Sequence, residues 1–265
     1  MREMPKINNR LSICMLASGS KGNAIYISDG ATSLLVDAGL SGVEIERRLR
    51  SHGLDPRDID ALIISHEHAD HTRGAGILSR RFHLPVYISE KTKRGAAATI
   101  GKIDDIRPFR CGQPFCVNTL DVYPFSIAHD AEDPAGFTIE RNGRKIGIAT
   151  DLGIATNMVK QHLKGCDLLI LEANHDPEML MSGPYPWPLK QRIKSRTGHL
   201  SNQASGELLY ELKHDSLQHV ILAHLSETNN TPDKVLREVG PALKGCNARL
   251  HVAVQDFCGE LLSLE

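Results

Sequence analysis

The sequence predicts an α/β fold in which two β-sheets pack together and helices cover them, on three observations. Short apolar runs broken by turn signals dominate residues 11–148, and helix and strand patterns alternate over the last hundred residues. No repeat, long linker or low-complexity stretch separates the two halves, so residues 11–265 read as one domain behind an N-terminal extension of residues 1–10.

Leu11 to Ala17, Ala24 to Ser28 and Thr32 to Val36 form an opening meander, with Asp29-Gly30 as a tight turn. Ser41 and Glu44 make a capping box, Ile45 and Leu49 have helical spacing, and Gly53 with Pro56 stops the helix. Ala61 to Ser65 is too short for a helix and reads as a buried strand. Helix 74–81, strand 86–88 and helix 89–100 follow. Short strands then run from Ile106 to Ile148, broken by Pro114, Pro124, Pro134 and Asn142-Gly143. The alternation closes with helices 155–163, 202–212 and 232–239, the last behind Thr231 as N-cap, and with strands at 167–171, 219–223, 249–254 and 260–264.

The 265 residues carry 31 Lys plus Arg against 32 Asp plus Glu, a net charge of -1, so any polyanion must be gripped locally rather than by a global field. No run approaches the ~18 apolar residues of a membrane span and no signal peptide is evident, which gives the expectation of a cytoplasmic protein with no membrane partner. Six scattered cysteines lack any C-x-x-C pair and read as free thiols. Histidine is the outlier, with 13 copies, several of them bunched.

His66-Glu67-His68-Ala69-Asp70-His71 packs four potential metal ligands into six residues just after a buried strand. A turn there can bring His66 and His68 to one cation and Asp70 and His71 to a second, and imidazole with carboxylate suits Zn²⁺, Mn²⁺ or Fe. His129, Asp151 and His224 each stand just beyond a predicted strand. Taken singly each is an ordinary polar residue; beside the cluster they are candidate ligands.

The segments Leu34 to Gly39, His66-x-His68-x-Asp70-His71, His129, Thr150-Asp151 and Ala223 to Ser226 resemble the successive motifs of the metallo-β-lactamase fold superfamily. The resemblance implies a four-layer αβ/βα sandwich with two divalent metals: His66, His68 and His129 on one, Asp70, His71 and His224 on the other, Asp151 bridging. Asp37 would steady the metal-binding loops. By the same resemblance, His68 argues against the redox diiron branch and Asp151 against the true β-lactamases. The chain also lacks the long insertion of the larger RNA-processing nucleases and the extra C-terminal domain of the glutathione thioesterases.

Gly198-His199-Leu200-Ser201 upstream of Ala223-His224-Leu225-Ser226 looks like the end of ribonuclease Z and related nucleases, which implies that His199 lies beside a scissile phosphate as proton donor or phosphate partner. Leu16 to Asn23, Ile148 to Gly153, Leu171 to Asp176 and Gly183 to Trp187 are similar to the bacterial YycJ-type (WalJ) family, associated with nuclease activity on DNA. Ser18 to Asn23 offers backbone donors and Lys21 for a phosphate, or is simply a turn. Lys190, Arg192, Lys194 and Arg196 form a candidate strand-binding segment with Tyr185 and Trp187 for stacking, or a solvated helix face. Glu172 and His175 are candidates for supporting the metals or the substrate.

The expectation is therefore a hydrolase holding two Zn²⁺ or Mn²⁺ ions (Fe also fits). It would be a phosphodiesterase or exonuclease-like enzyme on DNA or RNA, using a metal-held hydroxide oriented by Asp70 and Asp151. The alternatives are a thioester or other small-molecule hydrolase and a regulatory module that keeps metals only for folding. Oligomeric state is not legible.

Overall fold

The computed structural model describes residues 10–265; the expected extension falls almost wholly outside them. One sheet contains β1 (Ser12–Ala17), β2 (Ala24–Ser28), β3 (Ser33–Val36), β4 (Ala61–Ile63), β5 (Val86–Ser89) and β6 (Ile106–Phe109) in sequential order. The other contains β7 (Phe115–Val117), β8 (Leu120–Ser126), β9 (Ala135–Arg141), β10 (Arg144–Ala149), β11 (Leu168–Glu172), β12 (His219–Ala223) and β13 (Arg249–Val252). The final strand, β14 (Leu262–Ser263), returns to pair antiparallel with β1, which makes both sheets seven-stranded. It is shorter than the predicted 260–264.

Alternation along the strands builds four layers. Ile13 and Met15 of β1 face the opposite sheet, where they meet the layer that contains Phe137, Ile148 and Ile170. Cys14 and Leu16 point the other way, beneath α1 (Gly42–Ser51) and, past the short α2 (Ala69–Thr72) that carries Asp70 and His71, α3 (Ala75–Phe82) and α4 (Glu90–Ile100). In the second sheet Leu168 and Ile170 face inward, whereas Leu169 and Leu171 pack under α5 (Asn157–Leu163), α8 (Asn202–Leu212) and α9 (Pro232–Val239). Strands buried on both faces are why the runs read as continuously apolar. All six cysteines are free, and no helix among the described residues is long and apolar enough to cross a membrane.

Local signals act as read at most helix starts. The Ser41 hydroxyl accepts from Glu44 N and Thr231 Oγ1 from Lys234 N. The capping box is only half formed, because Glu44 turns to Arg47 and Arg48 instead of back to the cap. The predicted strand 61–65 stops at Ile63, since Ser65 N and Oγ donate to Asp37. Two helices fill the segment before His199: α6 (Pro177–Ser182), absent from the predicted elements, and α7 (Trp187–Ile193), which entered only as the helix alternative for the basic segment. The sequence carried a signal for α6, since Asp176 caps Met179 N and Pro177 occupies the first turn.

Candidate metal centre and active site

Topology gathers the chemistry at one edge. β3 and β4 run parallel, and so do β10, β11 and β12, so residues just past their C-terminal ends share one rim. Strand β8 is antiparallel to β9, which is antiparallel to β10, so β8 ends there too and delivers His129. Asp37, Asp151 and His224 each leave their strand with positive φ, at 60°, 57° and 57°. Non-glycine residues rarely adopt this backbone, and it turns their side chains into the rim. Gly39 admits the close approach of the Asp70 loop, for a Cβ there would lie 1.6 Å from Asp70 O.

Among overlapping donor clusters two match the expected ligand sets, and Asp151 stands between them. In the first, His66 Nε2 and His129 Nε2 lie 3.1 Å and 3.3 Å from His68 Nδ1. Tetrahedral zinc with Zn–N near 2.05 Å separates its ligand nitrogens by about 3.3 Å, so the spacing fits. In the second, His71 Nε2 lies 3.5 Å from Asp70 Oδ2 and 3.3 Å from Asp151 Oδ2, while His224 Nε2 lies 3.7 Å from Asp70 Oδ2. Asp151 Oδ1 stands 3.9 Å from His129 Nε2 and 3.4 Å from His224 Nε2, between the groups. Asp151 Oδ2 and His224 Nε2 are buried without hydrogen-bond partners among the described residues. Orphaned donors in a buried set of imidazoles and carboxylates suit divalent cations, and the His/Asp cluster is compatible with a two-metal site.

Proton equilibria point the same way. Burial disfavours the charged forms of both His71 and His224, yet the surrounding carboxylates overcome it, raising His71 well above the ordinary histidine value and His224 to about 10. Burial likewise opposes ionisation of Asp70, but His224 and His71 hold it well below the usual carboxylate range. His66, facing other imidazoles, is driven down by burial and their repulsion. Protons thus balance the carboxylates, a task cations take over while releasing them.

Supporting contacts fix the ligands. Asp37 Oδ2 lies 2.8 Å from His71 Nδ1 and its two oxygens accept from Ser65 N and Oγ. Glu172 Oε1 sits 2.7 Å from His199 Nδ1 and 2.9 Å from His224 Nδ1, while Oε2 accepts from Leu152 N and Leu200 N. Burial alone would neutralise Glu172, but the two imidazoles keep its pKa low; burial similarly opposes charge on His199, and Glu172 outweighs it and raises that pKa.

A cavity of about 180 Å³ opens beside this rim, with Ser20, Asp130, Tyr185, Arg192, His199 and His224 among its lining. The structure separates the four basic residues. Arg192 is 59% exposed, donates through Nε to Asp130 and lines the cavity. Lys194 and Arg196 are exposed nearby. Lys190, expected to grip substrate, is only 8% exposed; its Nζ donates to Met181 O and Gly183 O and ties down the loop after α6. Of the two readings of Ser18 to Asn23, phosphate loop or turn, the contacts support the turn. Gly19 N and Lys21 N donate to Asn23 Oδ1 and Gln255 Oε1, Ser18 Oγ accepts from His224 N, and Asn23 Nδ2 lies 3.0 Å from His71 Nε2. The loop braces the donors. Asn23 was read only as part of that loop and not as a brace for His71, and Asp130 was missed as a site residue. Asp130, which stands directly after His129 with Oδ1 3.4 Å from its Nε2, offered only that adjacency as a signal.

The family model for the beta-lactamase superfamily domain matches residues 32–241. The chain belongs to the beta-lactamase superfamily. Within the superfamily it is 37% identical over 236 residues to a Bacillus anthracis protein named exodeoxyribonuclease YycJ, covering 88% of this chain and 89% of that one. It is 37% identical over 231 residues to a Streptococcus pneumoniae protein named exodeoxyribonuclease WalJ, at 86% and 85% coverage. The solved structure of the metallo-β-lactamase fold protein YhfI from Bacillus subtilis superposes with a TM-score of 0.72 at 19% identity, covering 94% of this chain and 99% of that one. That likeness confirms the four-layer sandwich.

Proposed function

We propose that the protein is a two-metal phosphodiesterase that degrades DNA from an end. The observation that carries this reading is the pair of donor groups joined at Asp151 beside a cavity whose other wall holds His199 and Arg192. The two relatives named exodeoxyribonuclease support DNA as the substrate, and the imidazole-carboxylate donors support Zn²⁺ or Mn²⁺ as the metals. A cytoplasmic location accords with that substrate.

His66, His68 and His129 would hold one cation and Asp70, His71 and His224 the other, with Asp151 between them. When bound, the cations supply Lewis-acid polarisation and an acidified water. The chain's own groups do the rest. Asp70 accepts from and orients the attacking water. The Arg192 guanidinium, braced through Nε by Asp130, presents its free nitrogens to phosphate oxygens. His199 gives its Nδ1 to Glu172, which leaves Nε2 to deliver a proton to the departing sugar oxygen.

The test is a panel of end-labelled single- and double-stranded DNA, RNA and a thioester, incubated with purified protein and Zn²⁺ or Mn²⁺. Stepwise release of nucleotides from DNA is expected. Hydrolysis confined to the thioester would overturn the reading.

A further inference from the structure

The cavity beside His199 continues across Ser226, which also lines a second cavity of about 350 Å³. That volume lies at the small end of ligand clefts, which span roughly 300–1,000 Å³. Leu225, Pro232, Val254 and Phe257 give it apolar walls. Phe257 is 74% exposed among the described residues, a large ring left outside the core. Among the described residues the charged groups there are Lys21, Glu227 and Asp256, and that cation is paired, with Lys21 Nζ 2.7 Å from Glu227 Oε2. The amides of Asn230 and Gln255 are consumed by the protein's own backbone and side chains.

This chemistry repels a phosphate and suits a flat apolar ring with N–H groups on its edge. Aromatic faces stack on bases of any sequence. Carboxylates accept hydrogen bonds from base amino groups, which gives Asp256, and the Glu227 oxygen that Lys21 does not hold, a partner that a phosphate could not be. We propose that the second cavity is a nucleobase subsite, in which a base of an unpaired strand stacks on Phe257 while a neighbouring phosphate lies in the cavity beside His199. The inference rests on the phosphodiesterase reading above. It makes the substrate single-stranded where it meets the enzyme, because a base still paired and stacked in a duplex cannot enter a cavity.

The test uses metal-loaded enzyme and fluorescent oligodeoxynucleotides. Phe257→Ala is expected to weaken single-strand binding about 5- to 150-fold, the range set by one base stack, with metal content and thermal midpoint retained. Phe257→Trp should restore binding. In a series of oligonucleotides with one abasic position each, one position should weaken binding to the wild type and have no further effect on Phe257→Ala. Wild-type affinity in Phe257→Ala, or equal sensitivity of both proteins to every abasic position, would overturn the subsite while leaving the phosphodiesterase reading intact. A wild type that neither binds nor cleaves DNA would overturn both.

Discussion

Asp37 Oδ2 lies 2.8 Å from His71 Nδ1, and that contact directs His71 Nε2 toward Asp70 and Asp151. Asp37 does not line the cavity; it acts by holding the ring. Asp37→Ala should therefore lower metal affinity about 10- to 100-fold, as removal of a carboxylate behind a ligating imidazole usually does. Competition against a chromogenic chelator measures it, and unchanged affinity would show that the loop holds His71 without help.

His199 has a different task from the donors around it. His199→Ala should keep two metals per chain and lose roughly 10²- to 10⁴-fold in turnover on DNA, the usual contribution of a positioned proton donor. On a nitrophenyl phosphodiester, whose leaving group departs unprotonated, the loss should be far smaller. Elemental analysis of the variant guards the assignment: a missing metal would move His199 into the coordination sphere with Glu172, His224 and Asp151.

The basic segment should divide by burial. Arg192→Ala, Lys194→Ala and Arg196→Ala should each flatten the salt dependence of single-strand binding, by about 0.7 in the log-log slope for every phosphate that goes unneutralised. Lys190→Ala should leave that slope alone and lower the melting temperature, because two carbonyls lose their donor. Salt titrations alongside thermal melts separate the two behaviours, and a slope change in Lys190→Ala with no loss of stability would reverse the assignment.

His175 is buried with Nδ1 unpartnered, and burial pushes its pKa down to about 4. The folded state keeps it neutral, whereas an unfolded histidine protonates near 6.5. The unfolded chain binds the extra proton between those values, so this stability is complete above about pH 6.5 and is lost as pH falls toward 4. Relative to His175→Asn, the wild type should lose roughly 1–3 kcal/mol across that window, at about 1.4 kcal/mol per pKa unit. Denaturant midpoints at pH 7 and pH 4 test it; parallel losses in both proteins would assign the acid sensitivity elsewhere.

What was legible in the sequence depended on how locally each feature is encoded. His66 to His71 announced itself because four donors crowd one turn, and His129, Asp151 and His224 because each follows a strand run. Asp37 entered through a motif. Lys190 reads like its neighbours Arg192 and Lys194, and only the packing of α7 against the end of α6 at Met181 and Gly183 buries it. Glu172 could only be suspected, since an acidic residue at a strand end is commonplace until His199 and His224 converge on it from elements 27 and 52 residues away. The two readings of the Ser18 to Asn23 loop stayed open for a similar reason: its donors face inward to partners such as Gln255, which lies 234 residues from Lys21.

Metal titration of stripped protein, read as nucleotide release from end-labelled single-stranded DNA, tests the two-metal account most directly. Activity should be absent without metal and reach its plateau at two equivalents of Zn²⁺ or Mn²⁺ per chain, with Asp151→Ala failing to reach it. Full activity at one equivalent, or DNA hydrolysis that survives stripping, would contradict it.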